Sequence, residues 1–214
     1  MKVLSINVSQ VKTVQYLDKE VTTGFYKRPC DGPVAVRKHN IDGDKQADLV
    51  NHGGESKAVY AFSYHHYEYW KNVFSENDLS FGAFGENLTV SHLDENELCI
   101  GDQVRCGTAL LQVSQPRVPC FKFAMAFNNK QAPKLFIQNF HTGVYFRVLK
   151  EGLVNTEDEL SIEQKHPDSV TVKTLFQAYF DKNADDAENT LLKAYAMPEL
   201  SSEWKNDIKQ KLKL

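Results

Sequence analysis

The chain has 214 residues and a formal net charge of −3, enough for one large domain or for a domain with a small appendage. That charge gives no general reason to bind a nucleic-acid polymer, and no apolar run is long enough to span a membrane. The N-terminus MKVLSINVSQ carries one lysine and then alternates apolar and polar residues, which predicts a strand and not an export signal. The four cysteines, Cys30, Cys99, Cys106 and Cys120, are therefore expected as reduced thiols in the cytoplasm.

Along the first two-thirds the pattern is one of short strands between turns. Leu4, Ile6 and Val8 alternate with polar residues; 11–16 and 34–36 are further strand candidates, followed by a loop at 39–52 rich in Asp, Asn and Gly. Segments 58–62, 98–100, 103–106, 110–114, 144–149 and 160–163 read as strands, with breaks at Gly101-Asp102, Gly107-Thr108 and Glu151-Gly152. A helix is predicted at 63–74, where Tyr67, Trp70 and Phe74 share a face and Ser63 stands as N-cap. Shorter helices are predicted at 122–128 and 132–140.

After His166-Pro167 the period changes. Val172, Leu175, Phe176, Tyr179 and Phe180 follow helical spacing; a second helix is expected at 185–195; and Ser201 or Ser202 caps a third carrying Trp204, Ile208 and Leu212. The division expected is a strand-rich core at 1–166 and a three-helix appendage at 167–214. A helix-turn-helix reader of DNA is disfavoured by Asp181, Asp185, Asp186 and Glu188, because phosphate binding needs positive charge.

Five clusters bear on chemistry. Gln115-Pro116-Arg117-Val118-Pro119-Cys120 sets a cysteine after two prolines and a guanidinium. Such a cysteine is kept as thiolate, the nucleophilic and metal-binding form, unless it is simply a buried structural thiol. His52-Gly53-Gly54, followed by Lys57, offers backbone donors and a point charge suited to an anion, or is an ordinary glycine turn. Gly85-Glu86-Asn87-Leu88 is a polar turn whose Glu86 and Asn87 can hydrogen-bond a heterocycle. Gly101-Asp102 is explained by a hairpin turn. His65-His66-Tyr67-Glu68 reads as a surface helix turn, since two ligands do not make a zinc site and no H-E-x-x-H occurs. No C-x-x-C pair, iron–sulfur spacing or nucleotide-binding glycine motif is present.

The order H-G-G-x-x-K-A-V-Y (52–60), G-E-N-L (85–88), G-D (101–102) and Q-P-R-x-P-C (115–120) resembles the MOSC domain, which shares its name with the C-terminus of molybdenum cofactor sulfurases. The resemblance extends to the YiiM-like branch, a MOSC core followed by a small three-helix domain, and 23–29 and 32–34 resemble its N-terminal stretch. Cys30 departs from that pattern. The resemblance implies a mainly β, barrel-like fold that binds the molybdenum–pterin cofactor, with Cys120 as the metal ligand and catalytic residue. Lys57 and Arg117 would meet the cofactor phosphate, His52, Gly53 and Gly54 would lie beside it, and Asn87 would meet the pterin edge. The implied activity is two-electron reduction of N-hydroxylated compounds such as hydroxylaminopurines and amidoximes, with His52 as a possible proton donor. The alternative is a cofactor or sulfur carrier in which Cys120 holds a persulfide. A reductase without a flavin, haem or iron–sulfur motif needs an external electron-transfer protein, of reductase or flavoprotein type. The tail would pack on the core, dock that partner or support a homodimer; packing is the simplest.

Overall fold

The computed structural model describes residues 1–48, 53–74, 79–168 and 170–214. An eight-stranded sheet forms the body, in the order β12-β8-β9-β10-β6-β7-β1-β4. Its strands are β1 (Val3–Val8), β4 (Arg28–Pro29), β6 (Val59–Ser63), β7 (Leu88–Val90), β8 (Gln103–Cys106), β9 (Ala109–Pro116), β10 (Val144–Lys150) and β12 (Leu160–Gln164). Neighbours are antiparallel except β6 and β7. Two ribbons complete the strands: β2 (Lys12–Tyr16) with β3 (Lys19–Thr23), and β5 (Val34–Val36) with β11 (Gly152–Val154).

The strand-rich, barrel-like expectation holds in content, but the ladder is not closed. β12 meets the start of β1 only through an isolated bridge, Lys2 to Glu159, and flanking backbone hydrogen bonds such as Leu160 N to Met1 O at 2.7 Å. β12 and β4 therefore remain the ends of the ladder.

Every residue of β6, Val-Tyr-Ala-Phe-Ser, is buried, the pattern of a strand covered on both faces. Successive side chains point to opposite faces. Val59 and Ala61 accordingly join the main apolar core, with Val3, Leu111, Phe146 and Trp204. Tyr60 and Phe62 join a second, aromatic layer with Trp70, Phe84, Phe123 and Phe136. That layer is supplied largely by α1 (Tyr67–Val73), α2 (Phe121–Ala126) and α3 (Ala132–Asn139).

The tail forms α4 (Val172–Phe180), α5 (Ala187–Ala196) and α6 (Ser202–Leu212). Its buried residues Leu175, Phe176, Leu191, Trp204 and Ile208 belong to the same apolar cluster as the sheet. Ser201 caps α6 as expected, its Oγ accepting from Trp204 N.

Some expectations change. Ser63 does not cap a helix: it ends β6, its Oγ accepts from Leu93 N at 3.1 Å, and a 3-10 turn, Tyr64–His66, intervenes before α1. Segment 98–100 is not a sheet strand; Ile100 N bonds Val170 O and Val172 N bonds Leu98 O, so it holds the entry to the tail. β3, β4 and β11 were not anticipated: β3 has one apolar residue, Val21, among polar ones, and β4 and β11 are only two and three residues long.

Candidate functional site

The predicted motifs meet at one cavity of about 600 Å³, whose wall includes Lys27, Lys57, Asn87, Arg117, Cys120 and Tyr145. β9 runs to Pro116, and the prolines then turn the chain so that Cys120 stands immediately before α2 in extended backbone (φ −109°, ψ −178°). Proline's fixed φ and missing amide end the ladder there and stiffen the loop.

Arg117 is 6% exposed, with its guanidinium 4.9 Å from the Tyr60 ring centre and 5.2 Å from that of Phe123. One of its nitrogens donates to the Tyr60 hydroxyl at 3.4 Å. Burial opposes its charge, yet attraction to Tyr60, Tyr145 and Cys120 more than offsets this and holds its pKa above the usual value. Aromatic faces stabilise a cation, but they do not neutralise it. Among the described residues no carboxylate pairs with Arg117, so a buried positive charge faces the cavity beside the Cys120 thiol.

Lys57 follows a turn in which Gly54 adopts φ +94°, and it belongs to the 3-10 segment Glu55–Lys57. Its ammonium pairs with Glu203 from α6. Asp207, one turn further along α6, also lines the cavity, and burial and Glu203 push its pKa up. Tyr179, Phe180 and Trp204 extend this wall. The tail is pinned next to the cysteine loop, with Trp204 Nε1 donating to Pro116 O at 3.3 Å and Ser201 N to Ser114 O at 3.2 Å.

The remaining predicted residues are placed differently. Gly53 and Gly54 belong to the turn before Lys57 but not to the cavity wall. His52 lies outside the described residues. Asn87 reaches the wall, but its amide is engaged internally: Oδ1 accepts from Tyr60 N at 3.1 Å, and Nδ2 donates to Asp44 at 3.1 Å. Asp44 in turn takes Lys27 in a bidentate ion pair and accepts from Ser9 N at 2.8 Å. Burial pushes the Lys27 pKa down against the pull of Asp44. Glu86, the other polar residue of that motif, accepts from Tyr67, Thr89, Gly82 N and Phe84 N and holds its own loop. Gly101-Asp102 is structural but not the hairpin turn expected, since 98–100 is not a sheet strand; Asp102 accepts from Cys99 N and His166 N.

Sequence reasoning missed Lys27, Tyr145 and the α6 carboxylates. Lys27 lies within the stretch that resembles the family; Tyr145 sits on a strand with an unremarkable alternation; Glu203 and Asp207 look like a solvated helix face.

A cysteine and a buried guanidinium with no carboxylate partner among the described residues line one cavity, in a strand-rich core with a helical tail. The MOSC domain model matches residues 48–161, and the chain belongs to the MOSC domain family. Its likeness to YiiM proteins continues through the tail. The crystal structure of YiiM from Geobacillus stearothermophilus superposes with a TM-score of 0.82 at 33% identity, covering 99% of this chain and 98% of that one. The uncharacterized protein YflK of Bacillus subtilis (strain 168) is 41% identical over 211 residues, 98% of this chain and 93% of YflK. A protein of Gibberella moniliformis named reductase is 36% identical over 155 residues, 71% of this chain but 28% of that longer protein.

Proposed function

We propose that this chain is a molybdenum-cofactor-dependent reductase of N-hydroxylated compounds. The observation that carries the reading is the shared cavity of Cys120 and Arg117, a soft sulfur ligand beside a buried cation without a carboxylate partner among the described residues. MOSC domains are associated with the molybdenum cofactor, and these residues fit it. A thiolate suits a heavy, thiophilic metal, and a planar guanidinium suits a phosphate. The name of the Gibberella relative supports a reductase class.

In this reading Cys120 holds the metal, Arg117 and Lys57 hold the phosphate, and Tyr60 and Phe123 keep the guanidinium in place. When bound, the cofactor supplies the two-electron redox chemistry. The reaction balances as R–NH–OH plus two electrons and two protons giving R–NH₂ and water. Tyr145 is a proton-holding hydroxyl on the wall, because burial pushes its pKa up and keeps the phenol neutral. The tail residues Phe180 and Trp204 exclude water from that side. The electrons come from an external electron-transfer protein of reductase or flavoprotein type.

The test is metal and pterin analysis of protein made in a cofactor-competent host, beside Cys120→Ser. Wild type is expected to carry molybdenum that the variant lacks, and to reduce a hydroxylaminopurine or an amidoxime with an artificial electron donor. Equal molybdenum in both proteins sinks the ligand role. Cysteine-dependent molybdenum without turnover on any N-hydroxylated compound overturns the reductase in favour of a carrier.

A further inference from the structure

A second cavity of about 490 Å³ lies elsewhere on the molecule, lined in part by His66, His92, Asp94, Asn139 and His141. It shares no lining residue with the first. Beside it Glu95 is fully buried. Its Oε2 is 3.3 Å from His141 Nδ1 and 3.6 Å from His66 Nε2. The three candidate ligand atoms all lie within 4.8 Å of one another. Three separate segments supply them: the 3-10 turn Tyr64–His66, the turn after β7, and the loop between α3 and β10. Glu95 Oε1 accepts from Gly143 N at 2.9 Å, which fixes the carboxylate. The His66 and His141 rings stack with centres 3.8 Å apart.

A simple histidine–carboxylate network satisfies His141 but reaches His66 only at 3.6 Å. His66 Nε2 is buried and has no hydrogen-bond partner among the described residues, its nearest carboxylate oxygen being too far. Asn139 Oδ1, on the same cavity wall, is also buried without one. A buried polar group left without a partner destabilises the fold, and two in one cavity ask for a common ligand. A cation satisfies the imidazole nitrogen, and a water held on that cation donates to the amide oxygen.

We propose that His66 Nε2, Glu95 Oε2 and His141 Nδ1 bind a zinc ion, with the fourth coordination position open to the second cavity. Two histidines and a glutamate with an open position are a known zinc ligand set. Bonds of about 2.1 Å at tetrahedral angles place ligand atoms about 3.4 Å apart. The observed separations from Glu95, 3.3 and 3.6 Å, bracket that value.

The experiment uses the full chain, stripped with a chelator and titrated with zinc by calorimetry and with cobalt(II) by visible absorption. Wild type is expected to bind one equivalent of zinc and to give the intense d–d bands of tetrahedral cobalt. Glu95→Gln keeps the contact to Gly143 and removes the anionic ligand; it and His66→Ala should lower zinc affinity by more than about a hundredfold, beyond the loss of an outer-shell partner. His65→Ala and Cys120→Ser should bind as wild type does. The proposal is overturned by an absence of saturable one-to-one binding in wild type, by unchanged affinity in Glu95→Gln, or by zinc that depends on Cys120 instead. Zinc-induced thermal stabilisation, present in wild type and absent in Glu95→Gln, decides the matter if His66→Ala fails to fold.

Discussion

Four cysteines in one chain meet four different environments. Cys106 is fully buried, and burial pushes its pKa up to about 12. Burial also raises Cys99 and Cys30, the latter with its Sγ 3.5 Å from Ile6 O. Cys120 alone among them lines the cavity with Arg117. Thiolate, not thiol, is the reactive form, and burial that raises a thiol's pKa suppresses it. Iodoacetamide at pH 8 is therefore expected to alkylate Cys120 first and Cys30 more slowly, leaving Cys99 and Cys106 intact until denaturant is added; peptide mass spectrometry checks the order. Faster labelling of Cys30 overturns it. At this scale the motif order names Lys57, Arg117 and Cys120, and all three line one cavity. Asn87 reaches the same wall with its amide engaged by Tyr60 N and Asp44, and a polar residue in a glycine turn gives the same signal whether it meets a ligand or its own fold. His65-His66-Tyr67-Glu68 reads in sequence as a surface helix turn; His66 instead ends a 3-10 turn with its side chain largely buried, and it meets Glu95 and His141 only through three-dimensional folding.

Among the elements, α6 has the widest consequences. Trp204 is 1% exposed, packs near Phe176, Tyr179 and Phe180, and donates to the carbonyl of Pro116. Trp204→Ala is expected to destabilise the protein by about 3–5 kcal/mol, as other buried aromatic truncations do, measured as a fall in the denaturant midpoint. The damage should also reach the cysteine loop, read as faster alkylation of Cys120 in the still-folded variant. The tail helices were legible because their apolar spacing is regular and their caps are ordinary. The 63–74 stretch was less so. Its helical face is real from Tyr67 onward, but Ser63 to His66 answer to the partners of β6 and to a buried carboxylate, which periodicity does not reveal.

For the whole molecule, the decisive arrangement is a strand shared by two apolar layers. β6 gives alternate residues to the main core and to the aromatic layer, and the tail shares the main core. The division at residue 166 thus marks a change of period, while the apolar cluster runs across it. The two tryptophans sample the two layers, Trp70 the aromatic one and Trp204 the main one. Single-tryptophan variants Trp70→Phe and Trp204→Phe should give fluorescence unfolding curves that each coincide with the far-ultraviolet circular dichroism of the same variant, the mark of one cooperative transition. An earlier transition for Trp204 fluorescence than for circular dichroism shows instead a tail that melts by itself. The placement of Glu203, Trp204 and Asp207 on the cavity wall has one more implication, which concerns time. During synthesis Lys57, Arg117 and Cys120 leave the ribosome long before the helix that completes their enclosure. A nascent chain halted before α6 has its cysteine and cations but no far side to the chamber, so full enclosure of a ligand there waits until α6 has emerged and packed.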